Sequence, residues 1–502
     1  MPAPIRVVLL ATALAGVVLP ARLAAQASPY IRLDDPRLPL LEHLIERGDV
    51  EDPSPMLRPF RRRDAVRVLA AADTTGSPSL SLIQRLRREL GDSTGNVWTL
   101  AGRGGLQGYT HARRELLHPS GPRAINGYAE VVGELTLGNL VLVTRPTVEP
   151  RLVDDQDWIG RRELEVAGRM ADAYIGLQFK YAELSYGQMD RNWGPVGLPG
   201  IPLSNYGYER QGLALDVGTP TIRLSSLATD LQDQPDSLGQ TVHRYYFVHR
   251  LHIRPSRRLV LAPWEGIIVS GVDRNFETRY RNPLSLGYLA NTIGFGDRSN
   301  VMLGLDVQWR PFRRTTLLAQ LALDDFWYDD RERNRDRWAL TLGAQGPVGG
   351  SLGWQALYTQ VSSLALRAFN PGDNFTDAGV GIGRNFSDQD QLTLRITVPV
   401  RDRWLLAPEL TVLRQGEGQI NDPYPVPDPN GVLSTPALFI GVVERTYRAA
   451  LGLVGRTGPL DVSATAGYHH VVNSEHEEGN SVDRFEGRIQ ATLGIGRTGV
   501  LR

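Results

Sequence analysis

From Trp98 to the end of the chain, apolar residues return at every second position, in segments of about ten residues. In 302–310, MLGLDVQWR, the residues Leu303, Leu305, Val307 and Trp309 alternate with Gly304, Asp306, Gln308 and Arg310. In 485–495, FEGRIQATLGI, Phe485, Ile489, Ala491, Leu493 and Ile495 alternate with Glu486, Arg488, Gln490 and Thr492. Similar rows run through 338–345, 352–360, 392–400 and 461–468. A strand turns successive side chains to opposite faces, so each segment carries one apolar face and one charged or hydroxyl-bearing face. A barrel wall in lipid around a polar lumen requires this pattern, although the strands of a soluble sandwich or propeller also alternate.

Two further features favour the membrane barrel. The opening MPAPIRVVLLATALAGVVLPARLAAQA has Arg6, an apolar run from Val7 to Leu19 and a small-residue ending at Ala25-Gln26-Ala27, so residues 1–27 are expected to be an export signal peptide. The strand connections also alternate in length. Tight ones fall at 138–139, 218–220, 255–258, 311–315 and 347–350, and long polar ones at 146–159, 189–208, 228–243, 273–299, 324–337 and 361–377. Short periplasmic turns and long outer loops mark bacterial outer-membrane barrels. No later stretch reaches the ~18 to 20 apolar residues of a spanning helix. Residues 96–502 are therefore expected to form an all-β, antiparallel transmembrane barrel in the outer membrane of a Gram-negative-type envelope.

The strand number depends on 378–454. Reading every alternating segment separately gives about twenty strands and drops the long DPYPVPDPNG connection on the periplasmic side, whereas merging segments there gives about 18; single-chain barrels keep an even number.

Between Ser28 and Asn96 the period is helical. Leu40, Leu41, Leu44 and Ile45 share a face that ends at Gly48; Ala65, Val66, Leu69 and Ala70 repeat the spacing, as do Leu82, Ile83, Leu86 and Leu90 before Gly91. Residues 28–95 are expected to be a small helical element on the periplasmic side. The run Arg61-Arg62-Arg63 reads as the solvated first turn of a helix, or as a contact for phosphate or lipid headgroups.

Signals for catalysis are absent from the sequence. Lys and Arg balance Asp and Glu at 55 each, which excludes the basic surplus of a nucleic-acid binder, and there is no cysteine. There is no HExxH or GxSxG motif, and His469, His470 and His476 sit beside the acidic EHEEG of a loop. Gly379-Val-Gly-Ile-Gly383 lacks the spacing of a dinucleotide or Walker loop. The expectation is a protein that is not an enzyme and uses no cofactor or metal.

Three outer segments combine aromatic rings with Arg, Asp and Asn: RNWGPVGLPGIPLSNYGYER from 191, ETRYRNPLSLGYLANTIGFGDRSN from 277 and LALDDFWYDDRERNRDRW from 321. Sugar rings pack their C–H faces on Trp and Tyr, and their hydroxyl pairs suit carboxylates, amides and guanidinium forks. The candidate carbohydrate-binding residues are Arg191, Trp193, Tyr206, Tyr208, Arg279, Tyr280, Asn282, Asp324, Asp325 and Trp327. Interfacial girdles also use Tyr and Trp. Neighbours Asp324 and Asp325 face opposite sides while a strand persists, so one of them at best faces the lumen. The prolines Pro195, Pro199 and Pro202 stiffen the first segment, which is expected to fold over or into the barrel mouth.

The stretch YLANTIGFGDRSNVMLGLDVQWRPFRRTTLLAQLALDDF, with RYRNPLSLG before it, NWGPVGLPGIPLSN earlier and YIRLDDPRLPLLEHLIERGDV near the start, resembles the Wzi-type capsule assembly family of outer-membrane proteins. The resemblance implies an 18-stranded barrel with a periplasmic helical element, acting as a surface lectin that retains capsular or exopolysaccharide. Its partners would be that polysaccharide, outer-membrane lipid and a periplasmic export machinery. The alternative is a porin-like channel for sugars or other small solutes.

Overall fold

The computed structural model describes residues 27–91, 95–111, 121–274, 280, 282–291, 299–325 and 335–501. The expected signal segment lies outside them except for Ala27, which is buried beside Val141 and Tyr174. Among the described residues, the helices α1 (Leu38–Glu46), α2 (Arg62–Ala70) and α3 (Leu80–Gly91) come first. Half of the wall follows as β1 (Val97–Tyr109), β2 (Ile125–Leu137), β3 (Leu140–Val148), β4 (Gly168–Gln178), β5 (Ala182–Met189), β6 (Arg210–Gly218), β7 (Ile222–Pro235), β8 (Thr241–Ser256) and β9 (Leu259–Gly271). After the short helix α4 (Gly287–Asn291) come β10 (Ser299–Trp309), β11 (Thr316–Asp325), β12 (Arg337–Pro347) and β13 (Gly353–Val361). The two-residue strands β14 (Thr376–Asp377) and β15 (Val380–Gly381) precede β16 (Gln389–Val400), β17 (Trp404–Gln415), β18 (Glu444–Thr457), β19 (Leu460–Val472) and β20 (Ser481–Val500).

The described residues form one 18-stranded antiparallel sheet, β1–β13 with β16–β20, and β20 pairs with β1 to close it. The higher count fails at one place. The start of the 378–454 stretch is not wall: Val380 and Gly381 pair with Asp377 and Thr376 as a small ladder inside a loop. With that segment removed from the wall, DPYPVPDPNG lies between β17 and β18, at the end of the barrel that carries the long loops.

The alternation predicts the two faces of the wall. Leu305, Leu321, Leu394, Leu410, Leu451, Ile489 and Leu493 stand exposed on the outside, while Asp306, Gln320, Thr341, Gln355, Thr359 and Thr393 are buried inside. An exposed apolar band around a closed sheet is the surface that lipid covers.

At the end with the tight turns, the apolar faces of α1, α2 and α3 pack together through Leu41, Leu44, Ala65, Leu69, Leu82, Ile83 and Leu86, and reach Leu405 of the wall. Arg47 donates to the Gly350 and Leu352 carbonyls of one turn, and Arg85 to the Asp402 carbonyl of another. The arginine run corrects the sequence reading. Arg61 pairs with Asp64 and with Glu183 of β5, and Arg62 with Glu134 of β2, so this first turn docks the helices onto the wall.

The lumen is also less polar than expected. On the β7–β13 side, the inward residues Leu227, Val248, Trp264, Ile268, Met302, Ala322, Ala339 and Val361 form a core with Leu57, with Trp193, Ile201 and Leu203 of the 190–209 connection, and with Leu366, Phe375 and Ile382 of the 362–388 connection. Both connections enter the barrel and fill it.

Candidate functional site

The 190–209 connection doubles back on itself inside the lumen. Trp193 N–H donates to the Leu203 carbonyl at 2.8 Å, and Gly194 and Gly200 meet so closely that a Cβ on Gly200 would lie 2.1 Å from the Trp193 carbonyl oxygen. Only glycine permits that approach. The wall then accounts for the loop's polar backbone groups, as burial demands. Gln320 of β11 bonds Ile201 N–H at 2.9 Å and the Trp193 carbonyl at 3.0 Å; Gln355 of β13 donates to Val196 O at 3.1 Å; Tyr246 of β8 donates to Pro202 O. Below, Asn192 and Arg58 exchange backbone hydrogen bonds of 2.9 and 3.0 Å, which join the loop to the helical element.

Asp306 of β10 is the polar centre of this packing. Its carboxylate accepts from Arg250, Trp264 and Gln320, each at 2.9 Å, and Arg250 also donates to Pro55 O at 3.1 Å. One carboxylate thus ties the wall to the helical element through Arg250 and to the plug loop through Gln320.

The space left by this plug is a cavity of about 490 Å³ against the β1–β4 and β19–β20 side. Its floor is Leu33 to Pro36 and Pro39 of the helical element, and its upper part is lined by Tyr109, Arg151, Asp155, Asp157 and Tyr208. Along the wall the charges are paired: Arg103 with Glu130 at 2.6 Å and Asp461 at 3.0 Å, and Arg145 with Asp172 at 2.7 Å and with Asp34. Burial works to raise the Asp34 carboxyl, but Arg145 and Arg32 outweigh it and hold it well below the usual carboxylate range.

Aromatic faces and charge meet in the upper part. Tyr208 donates to Asp155 at 2.7 Å, packs edge-on against Trp158 at 5.0 Å, and lies under the Arg169 guanidinium at 5.4 Å. Arg151 pairs with Asp155 and stacks over Tyr109 at 5.6 Å; Arg169 pairs with Glu149 and Glu209. Burial, reinforced by Asp155, pushes the Tyr208 phenol up, so it remains a protonated donor.

The sequence candidates divide between these environments. Tyr206 and Tyr208 line the large cavity; Tyr206 is nearly buried and sits edge-on to Phe386 at 5.8 Å. Arg191 and Trp193 line a smaller recess of about 80 Å³ between the helical element and β5–β7, and Trp193 belongs to the lumen core. Asp324 sits at a register shift in β11 between Leu323 and Asp325, and both aspartates reach Arg337, at 3.7 and 2.5 Å; Asp324 also accepts from Leu366 N–H at 3.0 Å. Their visible work is to hold the 362–388 connection. Tyr280 is buried against Phe247, and Asn282 is exposed on the same loop, accepting from Leu284 N–H at 3.1 Å. Arg279 and Trp327 lie outside the described residues.

Sequence reasoning missed Tyr109, Arg151, Asp155 and Arg169. They come from three places along the chain, and the only local signal is that Arg151 and Asp155 fall four apart in the short helical turn Pro150–Asp154 and just after it.

No family model matches the chain, and no curated protein matches it by sequence. Solved structures do. Wzi, an outer-membrane protein involved in group 1 capsule assembly in Escherichia coli and described as a carbohydrate-binding β-barrel, superposes with a TM-score of 0.66 at 14% identity, over 93% of this chain and 99% of that one. OprD of Pseudomonas aeruginosa matches with a TM-score of 0.45 at 10% identity, over 81% of this chain and 98% of that one. The chain has the fold of an 18-stranded outer-membrane barrel and is similar to Wzi in structure along most of its length.

Proposed function

We propose that this chain is a glycan-binding outer-membrane barrel that retains capsular or exopolysaccharide at the cell surface, and that it neither conducts solutes nor catalyses a reaction. In this reading residues 1–27 are removed on export, the tight turns and α1–α3 face the periplasm and any export machinery, and the long loops face outward. The observation that carries it is the cavity beneath the long loops, where Tyr109, Tyr208, Arg151, Arg169 and Asp155 converge beside a filled lumen. Aromatic faces for C–H surfaces, guanidinium forks for sugar carboxylates and a carboxylate for hydroxyl pairs are the groups a polysaccharide segment needs. The similarity to a carbohydrate-binding barrel supports the same reading.

The experiment is binding of acidic and neutral bacterial polysaccharides to the vesicle-embedded protein, alongside conductance across a planar bilayer. The expected result is a closed barrel that binds an acidic polysaccharide, with Tyr208→Ala weakening it about tenfold, or ~1.4 kcal/mol. Steady ion conductance by the intact protein, together with no affinity for any of the polysaccharides, would overturn the proposal in favour of a channel.

A further inference from the structure

On β8 and β9 the outward face carries an unusual pair. His249 and Glu265 are register partners, with Nδ1 and Oε1 2.9 Å apart. The neighbours Arg250, Trp264 and Ile268 point into the lumen, so this pair points out. Glu265 is the seventh of the thirteen residues of β9. A tilted strand crosses the hydrocarbon in about 9–11 residues, which places the pair near mid-membrane, where ionisable side chains on a lipid face are costly. Yet Glu265 is only 3% exposed.

The cover comes from Tyr280 and residues 282–291, between β9 and β10. Gly287 N–H donates to Glu265 Oε2 at 2.8 Å. Tyr280 and Ala290 pack with Phe247, Ile267 and Val269, and the outward residues Ala228, Tyr245 and Val301 border the same cluster. Every wall residue in this cluster faces outward, so Tyr280 and the segment 282–291 lie on the outside of the barrel. Gly287 touches the wall directly, since a Cβ there would lie 2.3 Å from Ile267 Cδ1. The other side of the segment is apolar and bare: Leu284, Leu286, Tyr288 and Leu289 are 84, 56, 57 and 54% exposed. Nearer the tight-turn end, the uncovered wall continues the same surface with Leu251, Leu303 and Leu305.

We infer that the 282–291 segment is a lipid-embedded flap: it masks the His249–Glu265 pair and presents Leu284, Leu286, Tyr288 and Leu289 to the acyl chains of the outer leaflet. The occupant follows from continuity, because the flap's bare face joins the apolar band that lipid covers around the wall. The inference rests on the membrane location of the barrel and is independent of what the cavity binds.

The test uses the full chain in phospholipid vesicles, with nitroxide labels on Leu286→Cys and Leu289→Cys; the sequence has no cysteine, so each label is unique. Leu321→Cys on the bare wall and Leu238→Cys at an exposed loop tip serve as lipid and water references. Both flap labels are expected to match Leu321 in their ratio of oxygen to nickel-chelate accessibility, several-fold above Leu238. A ratio like that of Leu238 would overturn the inference, and dipolar broadening between copies would give this face to a second chain instead. A water-like Leu321 would remove the membrane reading itself. Adding Gly287→Val to the Leu286→Cys chain is expected to lower its ratio, and an unchanged ratio would remove the Gly287 contact as the seat of the flap.

Discussion

At the scale of single residues, buried charge decides more than exposed charge. Asp306 alone joins three elements, and its partner Arg250 is almost completely enclosed. Replacing Asp306 with Ala leaves that guanidinium without its carboxylate, and breaking a buried pair in this way costs about 3–5 kcal/mol. The expected outcome is a lower temperature for the loss of heat-resistant mobility in detergent gels, and the variant Arg250→Met with Asp306→Leu should recover part of it, since both charges then leave together. His43 makes a different prediction. Burial first, then the nearby Arg47, push its imidazole down to about 4, and its Nδ1 meets Thr397 Oγ1 at 2.7 Å. The folded state therefore prefers neutral His43: its stabilisation is complete above about pH 6.5 and is lost as pH falls towards 4, on the order of 3 kcal/mol at most. Buried Glu42 and Glu46 are pushed up and act in the opposite direction over the acid range. The clean measurement is hence the difference between the native chain and His43→Gln: the protection of α1 amides, taken relative to their intrinsic exchange rate at each pH, should fall between pH 7 and 5 more in the native chain.

At the scale of elements, the 190–209 loop shows how a connection becomes part of a core. Its glycines allow two backbone strands to touch, its prolines limit the entropy lost on ordering, and wall glutamines satisfy what remains. A Val at Gly200 would push against Trp193 and Leu203 carbonyls and should unseat the loop, read as new protease cleavage within 190–209 and a rise in bilayer conductance. Unchanged protection would show that the loop has another way to close. The elements were legible to different degrees. Helices α1–α3 follow their leucine spacing because each buries one apolar stripe. The wall follows period two wherever one face meets lipid and the other a polar lumen. The pattern blurs on β8 and β9, in YYFVHR and EGIIVS, where the plug covers the inside and the flap the outside; a strand buried on both faces has no reason to alternate.

At the scale of the whole molecule, the barrel is three assemblies that share one lumen. The helices close the tight-turn end, the 190–209 and 362–388 connections fill the β7–β13 side, and the charged cavity occupies the rest. Closure is thus divided among parts distant in sequence, so removing one should leave the others in place. Deleting residues 194–201 is expected to raise conductance while the heat-modifiable barrel persists; loss of the barrel itself would mean that the plug is needed to assemble it.

The sequence by itself determined the class of the fold, the two faces of most strands, the helical element and the absence of a charge surplus, because these follow from local period and composition. It also marked the right loop as unusual. Only the tertiary structure decided the strand number, since the start of the 378–454 stretch pairs with Thr376 and Asp377 inside a loop and not with the wall. It alone decided which aromatic residues line a cavity and which fill a core: Trp193 and Tyr208 lie in one loop, but the first packs on Leu57 and the second faces Arg169 and Asp155. Period reports which face a side chain takes on its own element. What covers that face is set by other segments of the chain, some near and some far in sequence, and no local pattern carries that information.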